Sequence, residues 1–111
     1  MDISISSHVL DQEAGGPAPD LLITLHRQTS SGWEVLAQSN TDADGRVGGW
    51  QVTLNEGSTL RIDFGTGPWF EMQGKVAFYP RACVEFSPAE PGHYHIPLLL
   101  NRHGYSTYRG S

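Results

Sequence analysis

The sequence predicts an all-β protein, an antiparallel β-sandwich of seven to eight short strands with one short helix. The 111 residues include thirteen glycines and seven prolines, so turns come too often for long helices. Apolar and polar residues alternate with a period of two in "ISISSHV" and "TLRIDF", as in strands that are buried on one face. The length suits one domain with one core, and we expect residues 1–111 to form it.

The first predicted strand, at residues 3–9, has two chemically different faces, because side chains two residues apart share a face. The apolar face belongs to the core and consists of Ile3, Ile5 and Val9. The opposite face carries small hydroxyls and one imidazole, from Ser4, Ser6 and His8. A face of this kind suits a wet groove or an interface.

The remaining elements follow from turn signals and from short runs rich in β-branched and aromatic residues. Residues 11–20 are predicted as a loop and residues 41–50 as a turn. A short helix is expected at about residues 69–73, because Pro68 fits its first turn and Gly74 its end. Further strands are predicted at residues 21–27, 33–40, 51–54, 59–64, 76–80, 82–86, 94–100 and 104–110.

Composition excludes several classes of partner. The formal net charge is −5 and no basic stripe is present, so nucleic acid is not expected as a partner. No run approaches the roughly 18 apolar residues of a membrane span, and the start of the chain lacks the pattern of a signal peptide. We therefore expect a cytoplasmic protein with no membrane partner. Cys83 is the only cysteine and lies in a strand-like stretch, which predicts a buried, inert thiol.

His93 and His95 form the first candidate site, because alternate residues of a strand point to the same side. Two such histidines, with His8 as a third, could hold a zinc ion that activates water. They could equally serve as metal-free acid–base or substrate-binding groups, or be ordinary surface or packed histidines. The spacing alone leaves these three interpretations open.

A turn and the chain end supply further candidates. Residues 40–45 match the first half of a calcium loop, but Gln51 stands where a bidentate glutamate is needed, so a strand-connecting turn is the better interpretation. That turn presents Arg46, which is either a solvated arginine or a bidentate donor to a carbonyl or carboxylate. The last residues contain Tyr105 and Tyr108, and two tyrosines at a chain end indicate a segment that docks on the protein, as a last strand or as part of a site.

Five segments together carry a family resemblance: "SSHVLD", "TDADGR", "FYP", "HYHIPLLL" and "YSTYRGS". They resemble the 5-hydroxyisourate hydrolases, the purine-catabolic branch of the transthyretin-like family, and the resemblance runs across essentially the whole chain. It implies a transthyretin-like sandwich that assembles as a homotetramer, a dimer of dimers, with active sites in the channel between dimers. It also implies that no metal or organic cofactor is used, which replaces the zinc interpretation.

The resemblance assigns site residues position by position. His8, Arg46 and His95 match the family's two histidines and its arginine, and the terminal Tyr-Arg-Gly-Ser matches the end of this chain. The expected catalytic residues are His8, Arg46, His95 and Ser111. The expected substrate-binding residues are the same four together with Tyr108, Arg109 and Gly110.

The implied reaction is hydrolysis of 5-hydroxyisourate to 2-oxo-4-hydroxy-4-carboxy-5-ureidoimidazoline, a step of urate degradation. A histidine can take a proton from water near neutral pH, and an arginine can stabilise an oxyanion without losing its own proton. We hypothesise that His95 activates water, that His8 orients it or shares the proton, and that Arg46 stabilises the oxyanion, although the sequence does not rank the two histidines. The alternative is a small-ligand carrier of the transthyretin type without turnover, which needs an apolar channel.

Overall fold

A computed structural model describes all 111 residues and contains ten strands and one short helix. The strands are β1 (Asp2–Asp11), β2 (Gly16–Pro17), β3 (Leu22–Thr29), β4 (Gly32–Asn40), β5 (Arg46–Thr53), β6 (Leu60–Phe64), β7 (Ala82–Phe86), β8 (Gly92–His95), β9 (Leu98–Asn101) and β10 (Gly104–Thr107). The helix α1 covers Thr66–Glu71. The predicted all-β class with one short helix is confirmed, although there are ten strands instead of seven to eight, and β8 and β9 run parallel to β1. None of the helical structure is long and apolar enough to span a membrane.

Strand β1 lies at the centre of the larger, six-stranded sheet. It pairs antiparallel with β5 along its first part and with the short β2 at its end. It also pairs in parallel with β8 and then with β9, whose other edge carries β10. The predicted single strand at 94–100 is thus two strands, because Ile96 and Pro97 interrupt it and proline has no N–H for a ladder.

The second sheet has four antiparallel strands in the order β4-β3-β6-β7. Both sheets turn an apolar face inward, and the alternation predicted for β1 and β6 is confirmed: Ile3, Ile5, Val9, Leu60, Ile62 and Phe64 are buried. One hydroxyl on the inner face of β1 is satisfied, because Ser7 Oγ donates to the Ile96 carbonyl over 2.7 Å. The polar face of β1 is therefore left for the outside of the sandwich.

The predicted turn at residues 41–50 is wrong in its second half, where β5 already begins at Arg46. The glycines that suggested a turn instead form a β-bulge. The register with β1 shifts between the pairs Ile5–Trp50 and Ser7–Val47, and Gly49 takes up the extra residue at a φ of 79°. The bulge lets β5 continue, so that Arg46 lies opposite β1.

Residues 76–80 do not form the predicted strand. Their backbone bonds run to scattered partners instead of a ladder: the Phe78 N–H donates to the Arg102 carbonyl, and the Pro80 carbonyl accepts from Gly67 N–H. Helix α1 begins three residues earlier than the predicted 69–73. It has Pro68 in its first turn, and Gly74 follows its end at a φ of 73°, as the sequence indicated.

The expectation of a buried thiol at Cys83 is wrong. Cys83 is exposed on β7, which is an edge strand, because the alternation of that strand turns Ala82 into the core instead. The pKa of the Cys83 thiol is nevertheless raised, first by partial desolvation and then by its hydrogen bond to the Asp63 carboxylate.

The turn before β5 depends on the absence of a side chain at Gly45. A Cβ there would collide with the Val9 carbonyl oxygen, and the backbone has a φ of 76°. Gly57 has a similar φ of 80° but open space around its Cβ position. It is therefore a matched control that shares the backbone strain and lacks the collision.

We expect Gly45→Ala to destabilise the fold more than Gly57→Ala does. Both changes carry the cost of about 1–2 kcal/mol for an L-residue in the left-handed region, and Gly45→Ala adds the overpacking cost of about 1–3 kcal/mol. Urea unfolding monitored by tryptophan fluorescence measures the two free energies of unfolding. Equal losses in the two variants would show that the contact with Val9 does not constrain the turn.

Candidate active site

The polar face of β1 forms one wall of an open groove on the larger sheet. Strands β5 and β8 flank β1 on either side, and the end of the chain reaches the same place. The side chains that line the groove include Ser6, Asp42, Arg46, His93, His95 and Ser111. The groove is polar, as the alternation of serine and histidine along β1 predicted.

Strand register brings together three of the four residues expected to be catalytic. His8 on β1 and Arg46 on β5 are direct cross-strand partners. On the other side of β1, Ser6 pairs with His95 of β8. Because β1 is shared by both pairs, His8, Arg46 and His95 lie on one surface although they are far apart in the sequence.

The turn before Arg46 is held by Asp42, which the sequence offered only as one oxygen of the partial calcium-loop match. Its Oδ1 accepts hydrogen bonds from the backbone N–H groups of Asp44, at 2.9 Å, and Arg46, at 3.0 Å. This carboxylate oxygen thus accepts hydrogen bonds from the backbone, as in an Asx turn. The geometry agrees with the interpretation of residues 40–45 as a turn. The signal in the sequence was an aspartate two residues before Asp44-Gly45.

His8 is held by the same turn. Its Nε2 lies 2.9 Å from the backbone carbonyl oxygen of Asp44. A carbonyl oxygen only accepts, so we assign the ring hydrogen of neutral His8 to Nε2, which leaves Nδ1 as an acceptor. The turn therefore fixes both the orientation and the tautomer of this imidazole.

The end of the chain docks against His95. The Gly110 N–H donates to the His95 carbonyl over 2.8 Å, and a Cβ at Gly110 would lie 2.5 Å from His95 Cδ2. Only glycine therefore lets the backbone pass so close to the imidazole ring. The contact brings Ser111 into the groove, so the predicted docking of the tail is confirmed and His95, Gly110 and Ser111 lie together.

Tyr108 and Arg109 lie elsewhere in the single chain. Both line a separate, more apolar cavity beside β7, together with Phe86 and Tyr94. The Arg109 guanidinium carbon is 4.9 Å from the centre of the Tyr94 ring, within the range of a cation–π contact. Neither side chain lines the groove that holds His95, so a substrate-binding role for these two residues stays a prediction.

Burial and neighbouring charge keep His95 neutral. The pKa of His95 is lowered from the ordinary histidine value of 6.5, first by desolvation and then by the Arg46 cation, with smaller effects of His8 and His93. At neutral pH the ring is therefore an available proton acceptor. Arg46 beside it keeps its positive charge, since a guanidinium does not deprotonate in proteins.

His95 also belongs to a chain of hydrogen bonds with β1. Its Nδ1 is 2.7 Å from Ser6 Oγ, which is 2.9 Å from His93 Nε2. His93 Nδ1 in turn lies 2.6 Å from Ser4 Oγ. The sequence placed the two serines on the polar face of β1, but nothing in it indicated that they bridge the two histidines.

Chemically, the groove combines a neutral imidazole, a permanent cation and several hydroxyls. Such a set can remove a proton from water and stabilise a developing oxyanion. The histidines are not arranged as a metal cage, and no group of three histidine, cysteine, aspartate or glutamate side chains is placed to hold a metal ion.

Comparison with known proteins gives consistent matches along the chain. The model of the HIUase/Transthyretin family matches residues 5–110. The 5-hydroxyisourate hydrolase of Salmonella dublin is 41% identical over 109 residues, which cover 96% of this chain and 80% of that protein. The structure of Klebsiella pneumoniae 5-hydroxyisourate hydrolase superimposes with a TM-score of 0.86 at 33% identity, covering 97% of this chain and 98% of that one. Sea bream transthyretin in complex with thyroxine gives a TM-score of 0.86 at 28% identity, covering 96% of this chain and 93% of the other.

Proposed function

Because the chain belongs to the HIUase/transthyretin family, we propose that it hydrolyses 5-hydroxyisourate, as its relatives of that name do. The reaction opens the six-membered ring at the N1–C6 amide bond and yields 2-oxo-4-hydroxy-4-carboxy-5-ureidoimidazoline, a step of urate degradation. The observation that most supports this activity is the groove in which a neutral imidazole, His95, lies beside the cation of Arg46.

In the proposed reaction His95 accepts a proton from a water molecule as that water attacks the C6 carbonyl. Its Nε2 is suited to this role, because Nδ1 is already bonded to Ser6 and burial keeps the ring neutral. Arg46 stabilises the negative charge that develops on the carbonyl oxygen. His8 orients the water through Nδ1, since its Nε2 is bonded to the Asp44 carbonyl.

The chain end closes one side of this site. Gly110 packs against the His95 ring and places Ser111 in the groove, where its hydroxyl can donate to the substrate or to the water. Tyr108 and Arg109 would contact substrate only if the assembly, or substrate itself, extended the site toward their cavity. We keep both as candidate substrate-binding residues.

A carrier function is the alternative, since sea bream transthyretin, a structural neighbour, is seen in complex with thyroxine. A carrier of a hydrophobic ligand needs a mainly apolar site. In this chain the groove is lined by Ser6, Arg46, His93 and His95, and its single hydrophobic residue is Val47. The polar lining favours hydrolysis over transport.

We further propose that the protein is a homotetramer, a dimer of dimers, in which the groove faces the channel between dimers. The support is the family membership together with an open groove and aromatic side chains such as Phe78, Tyr79 and Tyr108 that are exposed in the single chain. A cytoplasmic location is proposed as well, since an exposed free thiol at Cys83 suits a reducing compartment.

The tetramer predicts a mass of four times 12.2 kDa by sedimentation equilibrium at micromolar concentration. Replacing the exposed Phe78 by serine should leave the strands folded by circular dichroism and shift the mass toward smaller species. A single-chain mass for the unaltered protein would contradict the proposed assembly.

We expect His95→Asn and Arg46→Gln to lower kcat by at least about 100-fold, because they remove the base and the oxyanion donor. The substrate is made in the cuvette from urate with urate oxidase, and its decay is followed by ultraviolet absorbance against the spontaneous rate. His103→Gln and Arg27→Gln are matched controls, because His103 lies in the turn between β9 and β10 and Arg27 pairs with Glu34 on the other sheet. Both should retain the activity of the unaltered protein.

Two outcomes would contradict the proposal in different ways. Failure of the unaltered protein to accelerate the decay would exclude the hydrolase activity, and tight thyroxine binding in the same preparation would then favour the carrier. Full turnover by His95→Asn would keep the hydrolase activity but remove His95 from the role of base.

A further inference from the structure

His93 is the group in the groove for which the proposed reaction has no use. It is exposed, whereas His95, two residues later on the same strand, is half-buried. A hydroxyl of β1 nevertheless joins the two rings, because Ser6 Oγ lies 2.9 Å from His93 Nε2 and 2.7 Å from His95 Nδ1. The half-buried imidazole of His95 is thus connected to the surface by Ser6 and the imidazole of His93.

We propose that Ser6 and His93 form a proton relay that fixes the tautomer of His95 and carries its excess proton to the surface during turnover. The relay rests on the proposed hydrolysis, in which His95 is the base. Ser6 and His93 act through His95 and are positioning residues in this account.

The proposed reaction requires a free Nε2 on His95, and this requirement assigns the hydrogen positions in the series His95–Ser6–His93–Ser4. For His95 Nε2 to accept a proton, Nδ1 must carry the ring hydrogen and donate it to Ser6 Oγ. The Ser6 hydroxyl then donates to His93 Nε2, and His93 Nδ1–H donates to Ser4 Oγ. Every member has a partner in this arrangement, whereas reversing all three donors would move the ring hydrogen of His95 to Nε2, so the proposal commits to the first arrangement.

Proton balance gives the relay its task. Water supplies a hydroxyl to C6 and one proton to His95 Nε2, and that Nε2 proton passes to N1 as the C6–N1 bond breaks. While the tetrahedral intermediate lasts, His95 Nδ1–H can move to Ser6 Oγ as the Ser6 hydroxyl proton moves to His93 Nε2, so that the excess positive charge lies on the exposed His93. The reverse transfer returns the charge to His95 as its Nε2 proton passes to N1, which regenerates the starting tautomers. The product carboxylic acid loses its proton to water at neutral pH.

The charges around the two histidines favour this direction of transfer. Arg46 on β5 and His8 on β1 disfavour a positive charge on His95. Asp42 and Ser111 also line the groove, and one carboxylate oxygen of Asp42 is bonded to backbone N–H groups of the turn. Burial has the largest effect and lowers the pKa of His95, so a positive charge on that ring is disfavoured. His93 is exposed to water, where a protonated ring is solvated.

The register of β1 with β8 places the side chains of the relay next to one another. In the parallel pairing of β1 with β8, Ser4 lies beside His93 and Ser6 beside His95. The period of two turns all four side chains to the groove side of the sheet. The same pairing that buries Ile3 and Ile5 therefore aligns the donors and acceptors of the chain.

The test compares His93→Ala and Ser6→Ala with His103→Gln, a change at an exposed histidine outside the groove. Loss of proton transfer should lower kcat by about 10- to 100-fold at unchanged KM. Added imidazole should restore kcat of His93→Ala, since a free imidazole can take the proton in its place. Ser6→Thr, which keeps the hydroxyl, should retain most of the activity, and His103→Gln should behave as the unaltered protein.

A second measurement determines the tautomer of His95 in the absence of substrate. In spectra of ¹⁵N-labelled histidine, neutral His95 should carry its hydrogen on Nδ1, and Ser6→Ala should shift the population toward the Nε2–H tautomer. A hydrogen on Nε2 of His95 in the unaltered protein would overturn the relay whatever the activity.

The kinetic outcomes separate the two proposals. Absence of turnover by the unaltered protein would overturn the proposed function. Normal turnover by His93→Ala, or a loss that imidazole does not restore and that raises KM, would overturn the relay while leaving the hydrolase activity in place.

Discussion

The arrangement of the whole site depends on the register of β1. This strand pairs with β5 on one side and with β8 and β9 on the other, and its inner face is buried. A slip of one residue would turn Ile3 and Ile5 to solvent and Ser6 and His8 into the core. Burial of the apolar face therefore fixes the position of every polar group on the groove side, so that the stability of the fold and the geometry of the site have one cause.

The buried faces of β1 and β6 were predictable from sequence, because alternation is a local property. The alternation of β1 predicted both the buried face and a polar face suited to a groove, and Gly110-Ser111 was expected to dock. Long-range pairing was not predictable in the same way. Nothing in the sequence states that β8 runs parallel to β1, and the bridge from Ser6 to His93 and His95 exists only through that pairing. Gly48 and Gly49 suggested a turn, although a bulge uses the same residues inside a strand.

Some residues of the candidate site were likewise predictable from the sequence, and the position of others was not. His8, Arg46 and His95 were identified by resemblance, and the strand register brings them to one surface. The resemblance could not place Tyr108 and Arg109, which in the single chain line a different cavity. The wrong expectation at Cys83 arose because a short strand has two faces, and the sequence did not reveal which of them β7 turns outward. The environment of His95 follows from three-dimensional neighbours, chiefly its burial and the Arg46 cation.

The central claim is that a neutral His95 is the base of a hydrolase, and the pH dependence of kcat/KM for 5-hydroxyisourate tests it most directly. This profile reports the pKa of the base in the free enzyme. The pKa of His95 is lowered from 6.5, so activity should persist below pH 6.5 and be lost as the pH falls through the lower value. An acid limb with its midpoint at or above 6.5, or the same limb in His95→Asn, would contradict the account.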